Sequence, residues 1–326
     1  MNPMISVVSP FYNEQNILAK ALDRMIVNLK RLQDSWELII VNDGSTDDSI
    51  KIAKEKAAIE PRIKIVSYDK NHGRGYALKQ GINSAQGNYI ITTEIDCSWG
   101  DNIVASLIQA FYKDQNLDIV VASTKLAGGG YINVPSNRVF LSKAANIFLR
   151  FIVSKNTTMY TGMTRGYRAA AIKHLPISEN GKEFHLDVLA KANAFDLKIG
   201  EIPATITWQN EKLARTGAPK RKSSSKILNI IQSHFFYGLS SRPYRYILSV
   251  SIITGLLALS FLIWGGINFL QGTVSIYLLG LSLSSFVITI LLSGIGVLAL
   301  QQNTILREIW FIRREIQMFH QNNIDP

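Results

Sequence analysis

Apolar positions follow two different patterns along this chain. Up to about residue 245, short apolar runs alternate with segments whose apolar residues recur at helical spacing. Ile5–Ser9 is an apolar run closed by Pro10. Ile17, Leu18, Leu22, Met25, Ile26 and Leu29 then predict a helix reaching about Leu32. Glu37–Val41 predicts a second strand, apolar after its first residue, as a strand buried on both faces requires. Asn42-Asp43-Gly44-Ser45-Thr46-Asp47 reads as a turn, with Ser45 or Thr46 placed to cap a helix that ends near Ala58. Ile63–Tyr68 predicts a strand, Arg74–Ala85 a helix and Tyr89–Thr93 a fourth strand. Further on, Leu117–Ser123 is a strand and a helix opens at Pro135 and runs to about Val153. Another helix begins in Glu183–Asp187, and Ile199–Ile206 is a last strand. Strands alternating with helices imply an α/β fold with a mostly parallel central sheet covered on both faces.

The second pattern is continuous rather than alternating. From Tyr246 to Leu306 there is no charged residue. Ile247–Leu270 and Val274–Leu300 are each long enough to cross about 30 Å of hydrocarbon, and Asn268, Gln271 and Gly272 mark a hairpin between them. These runs predict two transmembrane helices. Ile227–Tyr246 before them carries His234, Phe235, Phe236, Tyr237, Arg242 and Arg245, and is expected to lie in the interface as an amphipathic helix. Ile305–Phe319 after them is amphipathic, with Arg307, Arg313 and Arg314. The expected parts are therefore residues 1–226, 227–246, 247–300 and 301–326. Lys and Arg flank both outer ends and the hairpin has neither, so the positive-inside rule predicts an integral membrane protein with both termini and the N-terminal domain cytoplasmic. The opening residues lead directly into a strand, so no signal peptide is expected. Gly294 and Gly296 give only a slight packing signal, and a homo-oligomer stays open.

Composition adds two constraints. The net charge of +11 admits nucleic acid, anionic lipid or phosphorylated substrates as partners. The cations concentrate beside the apolar runs: Arg215, Lys220, Arg221, Lys222 and Lys226 lie in a stretch without acids, from Lys212 to Leu306. That placement suits a lipid surface or a phosphate there, not nucleic acid. Cys97 is the single cysteine, which excludes an internal disulfide and a multi-cysteine metal site.

Candidate chemistry collects where apolar runs stop. Ligands of parallel sheets bind outside the carboxyl ends of the strands. Three such ends carry polar clusters: Tyr12-Asn13-Glu14, Asn42-Asp43 and Glu94-Ile95-Asp96. If the fourth strand stays extended, Glu94 and Asp96 share a face. Paired carboxylates there suit Mg2+ or Mn2+ carrying a diphosphate. No Gly-x-Gly-x-x-Gly turn follows the first strand and no Gly-x-x-x-x-Gly-Lys loop is present, which argues against a dinucleotide site and a phosphate loop. Asn71-His72-Gly73-Arg74-Gly75 reads either as a backbone cradle for phosphate or as a plain strand-to-helix turn. Gly128-Gly129-Gly130 reads either as a lid or as a bare linker.

Pro10-x-Tyr12-Asn13-Glu14, Val41-Asn42-Asp43-Gly44-Ser45-Thr46-Asp47, Gly73…Ala77-Leu78…Gly81 and Glu94-x-Asp96 occur in an order and spacing that resembles the family 2 glycosyltransferases. The resemblance covers roughly residues 4–125 and implies a GT-A-type nucleotide-sugar-binding domain. It implies that Pro10, Tyr12, Glu14, Asp43 and Glu94 bind the nucleotide of a UDP- or GDP-sugar, and that Asp96, with Glu94, holds the metal. Two departures stand out: Glu94 replaces the usual aspartate, and Trp99-Gly100 replaces a proline pair.

Arg138…Ser142…Asn146, Arg165-Gly166-Tyr167-Arg168, Glu183-Phe184…Asp187 and Glu201-Ile202-Pro203 resemble the polyprenyl-phosphate branch, which includes dolichyl-phosphate mannose synthase. The branch implies an inverting transfer to a polyprenyl phosphate, with Asp96 and Arg138 catalytic. It places Arg138 at the acceptor phosphate. A second arginine expected near Thr124 is missing, and Lys125 is the candidate in its place. Arg215 and Lys226 are further candidates for that phosphate. Two alternatives remain: transfer to a lipid or polysaccharide hydroxyl, with Glu183 or Asp187 as base, or an inactive membrane scaffold. His185 reads most simply as an ordinary packed residue.

Overall fold

The computed structural model describes residues 4–152, 157–181, 183–208 and 243–322. The chain divides into two compact units, a sheet unit (residues 1–234, with 314–326) and an apolar unit (residues 235–313).

The sheet unit begins with β1 (Ile5–Phe11), α1 (Leu18–Leu29), β2 (Trp36–Asp43), α2 (Ser49–Ile59), β3 (Ile63–Tyr68), α3 (Arg74–Ser84) and β4 (Tyr89–Thr92). There follow α4 (Ile103–Lys113), β5 (Ile119–Ser123), β6 (Gly130–Ile132), α5 (Ser136–Ile152), β7 (Arg165–Arg168), α6 (Ala169–Ile172), α7 (Phe184–Ala194), β8 (Ile199–Pro203) and β9 (Thr205–Thr207). Seven strands form one sheet in the order β3-β2-β1-β4-β7-β5-β8. All pairings are parallel except those of β7, which runs antiparallel between β4 and β5. The parallel strands therefore end along one edge.

Burial explains why these segments take these forms. Every residue of β2 is buried, as its unbroken apolar run predicts. In α1, Leu18, Leu22, Met25 and Leu29 line the buried face. α3 presses close to the sheet because Gly81 has no side chain: a Cβ there would lie 2.3 Å from Val8 Cγ1 and 2.9 Å from Val41 Cγ2. β1 runs through Pro10, where the sequence places a stop. Pro10 pairs with Val41 of β2, while the pairing with β4 ends at Val8 opposite Thr92.

The predicted strand Ile199–Ile206 divides in two at Ala204. β8 joins the main sheet beside β5, whereas β9 pairs with β6 in a separate two-stranded sheet. Gly130, expected in a lid or linker, is the first residue of β6 and pairs with Thr205.

The apolar unit holds a helical hairpin made of α8 (Pro243–Leu270) and the part of α9 (Ile276–Asn322) up to Arg313. Both contain stretches long and apolar enough to cross a membrane, Pro243–Leu270 and Ile276–Leu306, each with a mean hydropathy of 2.3. Helix α9 continues past residue 301 without a break. Ser251, Ala258 and Gly265 of α8 are buried, seven residues apart. A seven-residue repeat keeps one seam of a helix against its neighbour. Hydrogen bonds cross that seam. Ser251 Oγ donates to Thr289 O at 3.1 Å and lies 2.7 Å from Ser293 Oγ. Thr289 Oγ1 donates to Thr254 Oγ1 at 2.9 Å, and Ser282 Oγ donates to Ala258 O at 3.0 Å. The large side chains, Leu256, Leu259, Phe269 and Leu291 among them, point outward.

Candidate active site

The first two polar strand ends form one structure. Asn13 takes a left-handed conformation, φ 52°. Its amide N–H donates to Ser45 Oγ at 3.0 Å, and its Oδ1 accepts from Thr46 N at 2.8 Å. Glu14 N donates to Ser49 Oγ at 2.8 Å, and Gln15 N to Asp47 Oδ2 at 3.2 Å. Asp48 N returns a hydrogen bond to Gln15 Oε1 at 3.0 Å. Ser45 and Thr46 therefore serve the neighbouring loop and do not cap α2. The helix begins later, at Ser49, whose amide N–H donates to Asp47 Oδ1 at 3.0 Å. This lacing holds Pro10, Tyr12 and Glu14 beside Asp43, at the ends of adjacent strands.

Asp43 is buried at the end of β2. Its Oδ1 accepts from Tyr68 Oη and from His72 N, both at 2.9 Å, and its Oδ2 accepts from Gly73 N at 3.1 Å. The Tyr68 hydroxyl is pushed above its ordinary pKa by burial and by this carboxylate. Two amides of the Asn71–Gly75 loop are thus directed at a carboxylate, and Tyr76 N donates to Asn180 O at 2.9 Å. Of the two readings of that loop, the strand-to-helix turn is the one observed. Gly44 makes its approach possible: φ is 68°, and a Cβ there would lie 2.5 Å from Asn71 N.

Extension does not continue past β4. Cys97 N donates to Glu94 O at 3.3 Å, closing a turn, and Cys97 takes φ 52°. Strand alternation therefore does not set the directions of Glu94 and Asp96. Hydrogen bonds back from Ser98 and Trp99 fix them. Glu94 Oε2 accepts from Ser98 Oγ at 2.8 Å and from Trp99 Nε1 at 3.0 Å, and Asp96 Oδ1 accepts from Ser98 N at 3.0 Å. Trp99, one of the two departures from the resemblance, thus holds the other, Glu94. Both carboxylates are half-buried. Among the described residues, no three His, Cys, Asp or Glu side chains cluster as a metal cage. Mg2+ is commonly bound through one or two carboxylates plus substrate phosphates, so this pair fits such an ion.

The turn is joined to the opposite side of the site. Ser98 O accepts from Thr207 N of β9 at 2.8 Å, and Trp208 N donates to Ile132 O of β6 at 3.0 Å. The Arg138 guanidinium, in the first turn of α5, lies 5.0 Å from the Trp208 ring centroid. Lys125 follows β5 at the same sheet edge, and its Nζ is 3.4 Å from Lys143 O. Burial, with Lys143 nearby, lowers the Lys125 pKa. Arg215 and Lys226 lie outside the described residues.

Residues of the later motifs are held by buried hydrogen bonds. Arg165 is fully buried and donates to Gly162 O at 3.0 Å, His185 O at 2.9 Å and Tyr160 O at 2.7 Å. Thr92 Oγ1 donates to Met163 O at 2.7 Å, tying the same segment to β4. Glu201 Oε1 accepts from Thr158 N at 2.9 Å and Met159 N at 3.2 Å. Asp187 is buried, accepting from Ser178 N at 2.7 Å and Glu179 N at 3.1 Å and pairing with Lys191 Nζ at 2.8 Å. His185 is also buried, and burial together with Arg165 and Arg74 holds its pKa well below the ordinary value.

Comparison with known proteins agrees with this architecture. The chain is 29% identical over 61% of its length to the undecaprenyl-phosphate 4-deoxy-4-formamido-L-arabinose transferase of Edwardsiella ictaluri, covering 58% of that protein. It is 24% identical over 81% of its length to the dodecaprenyl-phosphate galacturonate synthase of Rhizobium johnstonii, covering 76% of it. An uncharacterized glycosyltransferase of Bacillus subtilis, YkcC, is 29% identical over 41% of the chain and 42% of its own length. The chain thus spans about half the length of several of these relatives. Glucosyl-3-phosphoglycerate synthase from Mycobacterium tuberculosis, solved with uridine diphosphate, shares the fold with a TM-score of 0.50 at 18% identity, covering 73% of this chain and 80% of that one. The Glycosyl transferase family 2 profile matches residues 6–175, and with its GT-A fold the chain belongs to that family.

Proposed function

We propose that this protein is a membrane-anchored, inverting glycosyltransferase that moves a sugar from a nucleoside diphosphate sugar to a polyprenyl phosphate at the cytoplasmic face. The observation that carries this reading is the union of two halves of one site. The Glu94–Trp99 turn, at the strand ends, is bonded through Ser98 O to Thr207 N, next to Trp208, whose ring lies against the Arg138 guanidinium of α5. In this reading Glu94 and Asp96 face a cation-bound diphosphate, and Arg138 and Lys125 face the acceptor.

Pro10, Tyr12, Glu14 and Asp43 bind the nucleoside in this reading. Asp43 acts through the oxygens it already offers to Tyr68 and the His72–Gly73 amides, so it orders the loop and the base together. Asp96, with Glu94, holds Mg2+ or Mn2+, which supplies charge neutralisation for the departing diphosphate. Arg138 and Lys125 hold the acceptor phosphate; Arg215 and Lys226, outside the described residues, are further candidates on the basis of sequence alone. The depressed pKa of Lys125 is consistent with a partly desolvated amine whose charge an anionic acceptor would stabilise.

An acceptor phosphate oxygen is already anionic at neutral pH, so it attacks the anomeric carbon without a base. Asp187 is committed to Ser178, Glu179 and Lys191. A hydroxyl acceptor would need a carboxylate poised for its proton, and the bonds that Asp187 already makes weigh against its serving as that base. The named activities of the two polyprenyl-phosphate relatives support the same acceptor class.

The test uses the purified full-length chain in detergent, labelled nucleotide sugars, one polyprenyl phosphate and a divalent metal. Metal-dependent nucleotide release coupled to formation of a glycosyl polyprenyl phosphate is the expected result. Release coupled only to a hydroxyl acceptor, or no release with any donor, overturns the reading.

A further inference from the structure

Ser98 has every polar atom engaged within the Glu94–Trp99 turn and its surroundings. It is 2% exposed; its N donates to Asp96 Oδ1, its Oγ donates to Glu94 Oε2, and its O accepts from Thr207 N. Trp99, 4% exposed, brings a second donor, Nε1, to the same oxygen of Glu94. An indole has a single polar atom, which only donates, so a buried tryptophan turns it toward an acceptor. The ring is seated beside Gly162, where a Cβ would lie 3.5 Å from Trp99 Cζ2. Gly162 O in turn accepts from the buried Arg165. Packing therefore fixes the indole, and the indole fixes the carboxylate.

The two oxygens of Glu94 are thus unequal. Oε2 accepts hydrogen bonds of 2.8 Å and 3.0 Å, whereas Oε1 has no partner among the described residues. With both lone pairs of Oε2 engaged, Oε1 is the oxygen left to meet a cation. Glutamate is also longer than aspartate by one methylene and one torsion. An unheld glutamate loses more rotamer freedom than aspartate when it grips an ion. Two donors on neighbouring residues remove that freedom beforehand, which is how groups behind a metal ligand tune the site. Aspartate at position 94 would draw its oxygens back by about one C–C bond, ~1.5 Å. That exceeds the hydrogen-bond reach of an indole held in place by packing.

We propose that Ser98 and Trp99 are positioning residues for the divalent cation: they hold Glu94 by Oε2, so that it serves as a one-oxygen ligand through Oε1. Glu94 and Trp99, both departures from the resemblance, are then one device, and aspartate at 94 is not its equivalent in this chain. The inference rests on the metal role proposed above for Glu94 and Asp96.

The experiment uses the purified full-length protein in detergent and Mn2+ with uridine diphosphate or guanosine diphosphate. Free Mn2+ is read from its electron paramagnetic resonance signal, and no sugar is transferred. Ser98→Ala and Trp99→Phe each remove one donor to Oε2 and should each weaken Mn2+ binding by about tenfold. Glu94→Asp should weaken it at least as much. Adding Trp99→Phe to Glu94→Asp should weaken binding by less than about twofold further, because that contact is already gone. Thermal unfolding without metal shows which variants fold; if Trp99→Phe does not, Ser98→Ala and Glu94→Asp decide. Wild-type affinity in folded Ser98→Ala or Trp99→Phe overturns the proposal and leaves the metal role standing. So does Glu94→Asp binding Mn2+ as tightly as the wild-type chain. No Mn2+ uptake by the wild-type chain with either nucleotide overturns the metal role itself, and the proposal with it.

Discussion

The two units bury opposite kinds of side chain. In the sheet unit Leu38, Ile39, Ile40 and Val41 vanish into the core while charges gather at the rim. In the hairpin Ser251, Ala258, Gly265 and Ser282 are inside, while Leu256, Leu259, Phe269 and Leu291 are outside. The contrast follows from the surrounding medium. In water, burying apolar surface drives folding at about 25 cal/mol per Å². In a bilayer the lipid tails are as apolar as leucine, so close approach and hydroxyl hydrogen bonds hold helices together instead.

The largest effect expected lies at the charged rim. Asp96→Ala should lower transfer by about 10³-fold, the scale of losing a main stabiliser of developing charge. Wild-type turnover by this variant in saturating metal would refute the metal role.

Next comes a paired truncation that tests the contrast itself. Leu38→Ala in the sheet core should cost about 2–5 kcal/mol. Leu256→Ala in the hairpin, where the leucine is 62% exposed, should change unfolding by less than about 0.5 kcal/mol. Chemical denaturation of the detergent-solubilised protein, followed separately for each unit, measures both. Similar losses at the two sites would break the comparison.

Arg138→Ala should raise KM for the polyprenyl phosphate by about tenfold, the loss of one charge-assisted contact, with donor hydrolysis little changed. Parallel effects on both would remove Arg138 from the acceptor side. A smaller change, about 0.6 kcal/mol, is expected for Ser251→Ala, which deletes its contacts to Thr289 and Ser293 across the helices.

The least effect concerns acid. Arg62, with Lys30, holds the Glu60 carboxyl at about 2, below its ordinary 4.5. The unfolded chain therefore takes up this proton first as pH falls. Stabilisation from Glu60 is complete above about 4.5 and is lost as pH drops toward about 2. Glu60→Gln should flatten the stability profile in that window, and an unchanged profile would show that the pair contributes nothing there.

Much of the sheet unit was legible because local patterns report burial. The run Glu37–Val41 marked a doubly covered strand, and β2 is buried throughout. Ile103, Val104, Leu107, Ile108 and Phe111 are spaced as one helix face and form the buried side of α4, so this helix too is signalled in the sequence. β7 was not legible. Arg165-Gly166-Tyr167-Arg168 has no apolar run, and it becomes a strand because β4 and β5 leave a gap between them. Gly166 admits the Phe111 ring there, since a Cβ would lie 2.7 Å from it.

The site divides the same way. Residue types and spacing by themselves determined where charge would meet the sheet edge, because strand ends fall where apolar runs stop. They also determined the two apolar helices, because length and absence of charge suffice for that. Only the tertiary structure decided how those groups are used. Asp43 and Asp187 are each held by backbone amides from elsewhere in the chain, and Ser45 serves Asn13 instead of its own helix. Glu94 points where Trp99 holds it, and Ser98 connects the carboxylate turn to β9. Hydrogen bonds between distant segments leave no periodic trace, since each partner is free to be any donor or acceptor that folding brings within reach.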